Sequence, residues 1–418
     1  MNLLSRFVHW WRRKSAGPSI VMGTGWQPLG DGSRRVPTPI ELLNELKNTA
    51  WSCASINSAV CASLPPRLFV STAAGQMKPR CLTRSLDSAT LQRIATVRGH
   101  LPIGGGAKVE EVLDHPILTL LQRVNSVHNA FDLWELTQLS LEVHGSAFWL
   151  IDEDPLLHQP SAIWILPTHL VTVRRSADST RLVDAYEYRG PSLQRFAPER
   201  IVHFRYPDPR EPYLSGLSPL RACFEQARLT SDYAALKHSV YDNAALPSVL
   251  ITPQDGFGPE ERDRLEEQWR NKLSRGGQGK ALVADSALKV TVLSHSMGDL
   301  AALADMKATK EDIANAFHVP LPFLSGDTNL ANMQAADHLH KTLAIVPRLR
   351  RRDEKLNEQL IPRFDGTGRL FFATPDPTPA NQAFLLAQEQ ADLKLGVRTI
   401  NEVRASRGLP PVAWGDGR

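Results

Sequence analysis

The residues of this chain with chemical potential fall in few places. In SRGGQGKA (Ser274–Ala281), glycines and a lysine imitate a phosphate-binding loop. The imitation fails at three points. Ser274 stands where the first glycine is needed, Ala281 replaces the Ser/Thr that would bind magnesium, and a helical pattern rather than a strand precedes it. A connecting loop is the simpler reading. In HSMGDLAALADMKATKED, Asp305 and Asp312 fall on roughly one helical face, beside Asp299 and Glu311. Such a pair could hold magnesium in an enzyme acting on nucleic acid. A solvated face, or pairing with a basic neighbour, explains the same spacing. Thr309 with Asp312 also reads as a local helix start.

His338 and His340 are two apart, so on a helix they point to different faces and share a metal poorly. His318 ends a helical pattern, where a cationic ring suits the dipole. All three histidines read as structural. Cys53, Cys61, Cys81 and Cys223 form no CxxC pair, so neither a zinc site nor a disulfide framework is read. A reducing, intracellular environment fits them. The densest basic run, PRLRRRDEK, carries Arg348, Arg350, Arg351 and Arg352. It suits contact with DNA phosphates or an acidic neighbouring subunit. It equally suits an exposed helix face salted by Asp353, Glu354 and Glu358. No catalytic set, cofactor site or metal site emerges, so the expectation is a non-enzyme.

The elements that must position these residues are long and varied. The 418 residues allow two or three domains or one elongated subunit. A 42% apolar content allows large cores, and 30 prolines mark many boundaries. A net charge of +4 excludes wrapping nucleic acid by charge alone. No apolar run is long enough to span a bilayer. Near the start, FVHWWRRKSAG places Trp10, Trp11 and Arg12–Lys14 in a short amphipathic patch. It reads as a docking arm or frayed end; the competing reading is a membrane-associated pore ring anchored there.

Residues 1–40 read as irregular. Glu41–Pro65 has helical spacing through Leu42, Leu46, Ala50, Cys53, Ile56, Val60 and Leu64. PRLFV reads as a strand, and residues 71–108 as a long polar surface loop. HPILTLLQRVNS and NAFDLWELTQLSLEVHG predict helices, the second with Leu133, Leu136, Leu139 and Val143 on one face and a stop at Gly145. AFWLID, AIWILPTHLVTVRR, AYEYRG and RIVHFRY predict a mostly antiparallel sheet. Then Ser218 as N-cap and Pro219 at the first position open a helix to Ala245, about 27 residues and roughly 40 Å long. A small α/β unit follows, with strands SVLIT, ALVAD and KVTVL and helix PEERDRLEEQWRNKL. The helix DLAALADMKATKEDIANAFHVP comes next. An apolar stripe at Met333, Ala336, Leu339, Leu343, Val346, Leu349, Leu356 and Leu360 then predicts one long helix, kinked at Pro347. Strand RLFFAT and two helices finish the chain.

Between these helices lies VPLPFLSGDTNLANM. Pro320 and Pro322 stop a helix, and Gly326, Asp327 and Asn329 favour a turn.

The order of INSAVCASLPPRLF, HPILTLLQRVNS, FDLWELTQLSLEVHGSAFWLI, ERIVHFRY, SGLSPLRAC, DIANAFHVPLPFLSGDTNLANM, TLAIVPRLRRRDEKLNEQL and TINEVRASRGLPPV resembles the portal proteins of tailed double-stranded DNA phages and gene-transfer agents. The resemblance covers roughly residues 41–412. It departs from the family at Val124-Asn125, where Pro-Asn is common. It departs again at Gly145-Ser146-Ala147-Phe148, where Gly-Asn is followed by Ala and an aromatic.

The resemblance implies an α+β portal fold. Residues 1–40 would be an N-terminal arm, 41–216 an α+β wing, 217–246 a stem helix, 247–295 a small α/β clip and 296–318 a second stem helix. Residues 319–332 would be a tunnel loop, 333–375 a long kinked helix returning to the wing, and 376–418 a helical crown. It further implies a homo-oligomeric ring, usually of twelve subunits, at one capsid vertex of the virion, assembled in the host cytoplasm. Double-stranded DNA would pass through it. The terminase large subunit, a head–tail adaptor, and the major capsid and scaffolding proteins would be its partners, with no cofactor and no membrane. Ser325, Gly326, Asp327, Thr328 and Asn329 would line the channel. Glu261, Arg264, Arg270 and Lys272 would meet the motor or adaptor, and Arg348, Arg350, Arg351 and Arg352 would make basic contacts with DNA or a neighbouring subunit.

Overall fold

The computed structural model describes residues 36–72, 81–86, 88–98, 108–156, 159–176, 182–242, 249–253, 260, 263–264, 267, 288–292, 306–326, 329–378, 382–406 and 409–416. Helix α1 (Pro39–Asn44) opens on a capping box between Thr38 and Glu41. Helix α2 (Asn48–Ala62) follows a break, so the expected single helix from Glu41 is two. Asn48 takes a left-handed φ of 46°, a conformation asparagine tolerates better than most residues, and it turns the chain there.

Strand β1 (Arg67–Thr72) leads into the stretch expected to be a long loop. It instead holds β2 (Thr83–Ser85), α3 (Ser88–Arg98) and β3 (Lys108–Val112). The two glutamates of β3 hide it in a sequence reading, yet both are buried. Glu110 accepts from the Thr83 hydroxyl at 2.7 Å, and Glu111 is paired with Arg84 across the strands. Helix α4 (Pro116–Gln122) is capped by the His115 ring. Helix α5 (Ala130–His144) carries an Asn129/Asp132 capping box and ends at Gly145, with φ 76°. A Cβ on Gly145 would stand 2.5 Å from the backbone of Gly216, so both the turn and the close approach require glycine.

Strands β4 (Ser146–Glu153), β5 (Pro160–Leu166), β6 (Val171–Arg175), β7 (Val183–Arg189), β8 (Leu193–Phe196) and β9 (Ile201–Arg205) follow. Ser218 and Pro219 start α6 (Pro219–Ala222) as the sequence predicts, but Cys223 leaves helical angles. The long helix is therefore broken before α7 (Phe224–Asp242). Strands β10 (Val249–Pro253) and β11 (Leu288–Val292) form an antiparallel pair. After α8 (Met306–Phe317) come α9 (Leu330–Leu339), a π-helical segment at His340–Ile345, α10 (Val346–Gln359), β12 (Leu370–Ala373), α11 (Gln382–Lys394) and α12 (Ile400–Ser406).

The described sheets are antiparallel: β12-β1-β3-β2, β5-β4-β9, β6-β7-β8 and β10-β11. The fold is α+β. One core joins β1, α4, α5, β4 and β9 to Leu356, Leu360 and Phe372 from the far end of the chain. A second joins α2 and α6 to Ile313, Ala314 and Phe317 of α8. The end of α8 is thereby fixed on the wall built by α2 and α5, while α10 packs against β9, β12 and α3.

The predicted kink is a π segment placed just before Pro347. Pro347 has no N–H for an α-helical bond to the Leu343 carbonyl. The ladder is instead resumed five residues apart, with the Val346 N–H donating to Lys341 O.

Candidate functional site

The polar interruption is built from both sides. Helix α8 ends in a 6→1 bond from the Val319 N–H to Ala314 O at 2.9 Å. His318 sits at the cap with a left-handed φ of 58°. Its part in ending the helix is therefore a backbone conformation usually left to glycine. A 3₁₀ turn, Leu321–Leu324, follows the first of the two prolines. Lys310 reaches forward from α8 and donates to Leu324 O at 2.8 Å.

Ser325 and Gly326 are exposed, while Asp327 and Thr328 lie outside the described residues. A Cβ on Gly326 would meet nothing within 4 Å, and its φ is not left-handed, so this chain does not itself require glycine there. Asn329 is the N-cap of α9: its side chain accepts from the Asn332 N–H at 2.8 Å. The helix thus starts at Leu330, and the loop is shorter than the expected 319–332. Beside its base, a groove of about 560 Å³ is lined by Trp51, Ile56, Lys310, Phe323 and Leu324.

Beneath the loop is a buried polar network. Arg348 forks onto Glu142 at 2.7 and 3.0 Å and also donates to Phe317 O at 3.1 Å and Ala344 O at 2.9 Å. Tyr206 donates to the same carboxylate at 2.8 Å, and Gln138 donates to it at 2.5 Å. Burial, then the charge of Glu142, pushes the Tyr206 hydroxyl well above its ordinary range. The Asn57 amide donates to Phe317 O at 3.0 Å. Its Oδ1 lies 2.8 Å from His340 Nε2, and the His340 ring meets Phe323 edge-on at 5.2 Å. Burial, then the nearby Arg348 cation, lowers His340 to about 4, so the ring is neutral near pH 7.

The basic run is divided by this arrangement. Arg348 and Arg352 are buried, and they are not available to DNA or to a neighbouring subunit. Arg352 donates to Cys61 O at 3.1 Å, Leu64 O at 2.8 Å and the Thr374 hydroxyl at 2.8 Å, and lies over Trp134. Asp353 is buried against it at 3.1 Å rather than salting an exposed face. Arg350 and Arg351 are exposed, with Arg351 resting over the Tyr206 ring at 4.9 Å. The reason is helical geometry: positions four apart share a face, so one run supplies the core and the surface alternately.

Glu142, Asn57 and Tyr206 escaped the sequence reading. The available signal was Glu142 itself, an acid four residues after Gln138 and flanked by Leu141 and Val143. Asp312 and Glu311 are exposed, while Asp305 lies outside the described residues. Among the described residues, no three His, Cys, Asp or Glu side chains stand together as metal ligands, and no helix is long and apolar enough to cross a membrane. Arg264 is helical and exposed; Glu261, Arg270, Lys272 and the Ser274–Ala281 stretch lie outside the described residues.

Known proteins decide the family. The family model described as "Phage portal protein" matches residues 88–408, most of the chain. The chain belongs to the phage portal protein family. It is 22% identical to the portal protein of Enterobacteria phage HK97 over 385 residues, covering 88% of this chain and 80% of that one. A chain from the neck of an empty gene transfer agent particle, computed with C6 symmetry, superposes with a TM-score of 0.57 at 20% identity. That match covers 94% of this chain and 98% of the other. A chain from the native neck, computed with C12 symmetry, gives 0.56 at 19% identity, covering 91% and 96%. The α+β fold is thus the fold of portal proteins.

Proposed function

We propose that this portal-family chain is one subunit of a closed ring, of twelve copies, at a single capsid vertex of the virion. Double-stranded DNA passes through the ring during packaging and ejection. The observation that carries this reading is the family match across residues 88–408, joined to the likeness to neck chains described with C12 symmetry. A ring needs two different faces of each subunit in contact. Leu339 and Leu343, exposed on one face of the long helix, offer apolar surface for that contact.

In this reading Ser325, Gly326, Asp327 and Thr328 form the tip that lines the channel, while Asn329 caps the helix behind it. The tip carries no cation, and the chain's charge of +4 is mild, so phosphates slide rather than bind. Residues 247–295, with Glu261, Arg264, Arg270 and Lys272, meet the terminase large subunit and later the head–tail adaptor. Arg350 and Arg351 make the basic contacts. Residues 376–418 face the capsid interior, and assembly occurs in the host cytoplasm among capsid and scaffolding proteins. The ring conducts DNA; the terminase performs the hydrolysis.

Deleting Gly326–Thr328 tests the loop, since the deletion spares the Asn329 cap. Electron microscopy is expected to show intact rings, with DNA packaging or retention impaired. Loss of the rings would make the segment a structural joint and remove its channel role.

A further inference from the structure

One side chain touches both ends of the loop-bearing segment. Asn57 projects from α2, far from the loop in sequence, and is fully buried. Its Nδ2 donates to the carbonyl of Phe317, the last residue of α8. Its Oδ1 faces Nε2 of His340, the first residue of the π segment. The Phe317 carbonyl needs a donor, so the NH2 end of the amide faces it and Oδ1, an acceptor, faces the ring; His340 therefore carries its proton on Nε2. The His340 ring in turn buttresses Phe323 within the loop. The π segment brings His340 inward while Leu339 and Leu343 face out, 53% and 63% exposed. A π turn is a poorer ladder than an α turn and is retained where it aims a side chain.

We propose that Asn57 is a positioning residue of the loop, sharing the Phe317 carbonyl with Arg348. Its amide clasps the entry at Phe317 to the exit at His340, and fixes both to α2, so that the tip at Ser325–Gly326 stands at one place relative to the body. The clasp rests on the channel reading only for its effect on DNA. Its own evidence is geometric.

Hydrogen exchange of the full-length protein tests it. Asn57→Leu keeps the volume and removes the bonds to Phe317 and His340, together with a longer one to Glu142 at 3.4 Å. Amides of residues 317–326 and 329–346 are expected to exchange about tenfold faster, while β4 and β9 stay within about twofold. His340→Leu breaks the clasp from the other side, leaves α2 untouched, and should give the same pattern; it decides the matter if Asn57→Leu does not fold. His340→Gln, whose amide nitrogen reaches where Nε2 stood, should keep the slow exchange. Uniform acceleration across the chain, or none, would overturn the clasp. Local acceleration with DNA retention unchanged would uphold the clasp and count against the channel reading instead.

Discussion

The two halves of the long helix share one apolar stripe in the sequence and meet opposite fates. After Pro347, Leu356 and Leu360 are wholly buried in the core of the strands and α5, and Leu349 is buried against Cys61 of α2. Before it, Leu339 and Leu343 are 53% and 63% exposed, and the small or polar Ala336, His340 and Ala344 face inward, with Ile345 buried only at the junction. Helical periodicity states that a face will be covered, not by what. The second half is covered by its own chain. The outer face of the first half is left exposed, and in the proposed ring a neighbouring subunit would cover it.

The sharpest way to break this contrast is at the charge that joins the halves to the wall. Glu142→Ala leaves Arg348 buried without its partner and is expected to cost about 3–5 kcal/mol. Arg350→Ala, two positions along on the exposed face, should stay within about 0.5 kcal/mol. Denaturant midpoints measure both, and equal losses would mean the buried network holds nothing special.

The apolar residues should divide the same way, somewhat less steeply. Leu356→Ala is expected to cost about 2–5 kcal/mol in subunit stability through the cavity it leaves. Leu343→Ala should hardly change the stability of the dissociated subunit but should weaken ring assembly, read by sedimentation at decreasing concentration. If Leu343→Ala destabilised the lone subunit as much as Leu356→Ala, the outer face would belong to the chain's own core.

A third difference between the halves is their response to acid. His340, in the first half, is held to about 4 by burial, below its ordinary 6.5. The unfolded chain therefore takes up the proton first. This stability is complete above about pH 6.5 and is lost as the pH falls toward 4, by at most about 3 kcal/mol. Asp353, in the second half, has its carboxyl raised by burial, so its contribution grows as the pH falls. Comparing His340→Gln with the parent chain separates the two. The variant should show a flatter fall in unfolding midpoint between pH 6.5 and 4, and an unchanged slope would place the loss elsewhere.

Much of this architecture was readable beforehand, for local reasons. The Leu133, Leu136, Leu139 and Val143 spacing announces α5, Gly145 ends it, and Ser218-Pro219 opens α6, because periodicity and caps act within a few residues. Strand β3 was not readable. Its Glu110 and Glu111 look like surface until Thr83 and Arg84 of β2 supply partners. The π segment left one trace, Pro347, which marks a kink without revealing its kind. Arg348 and Arg352 misled for the same reason as β3: a charge in a sequence gives no sign of the buried acid or carbonyl waiting for it.

Electron microscopy of the purified full-length chain tests the central claim most directly. The account predicts annular particles with a central hole and subunits arranged about a single axis. Monomers alone, even at high protein concentration, would contradict it.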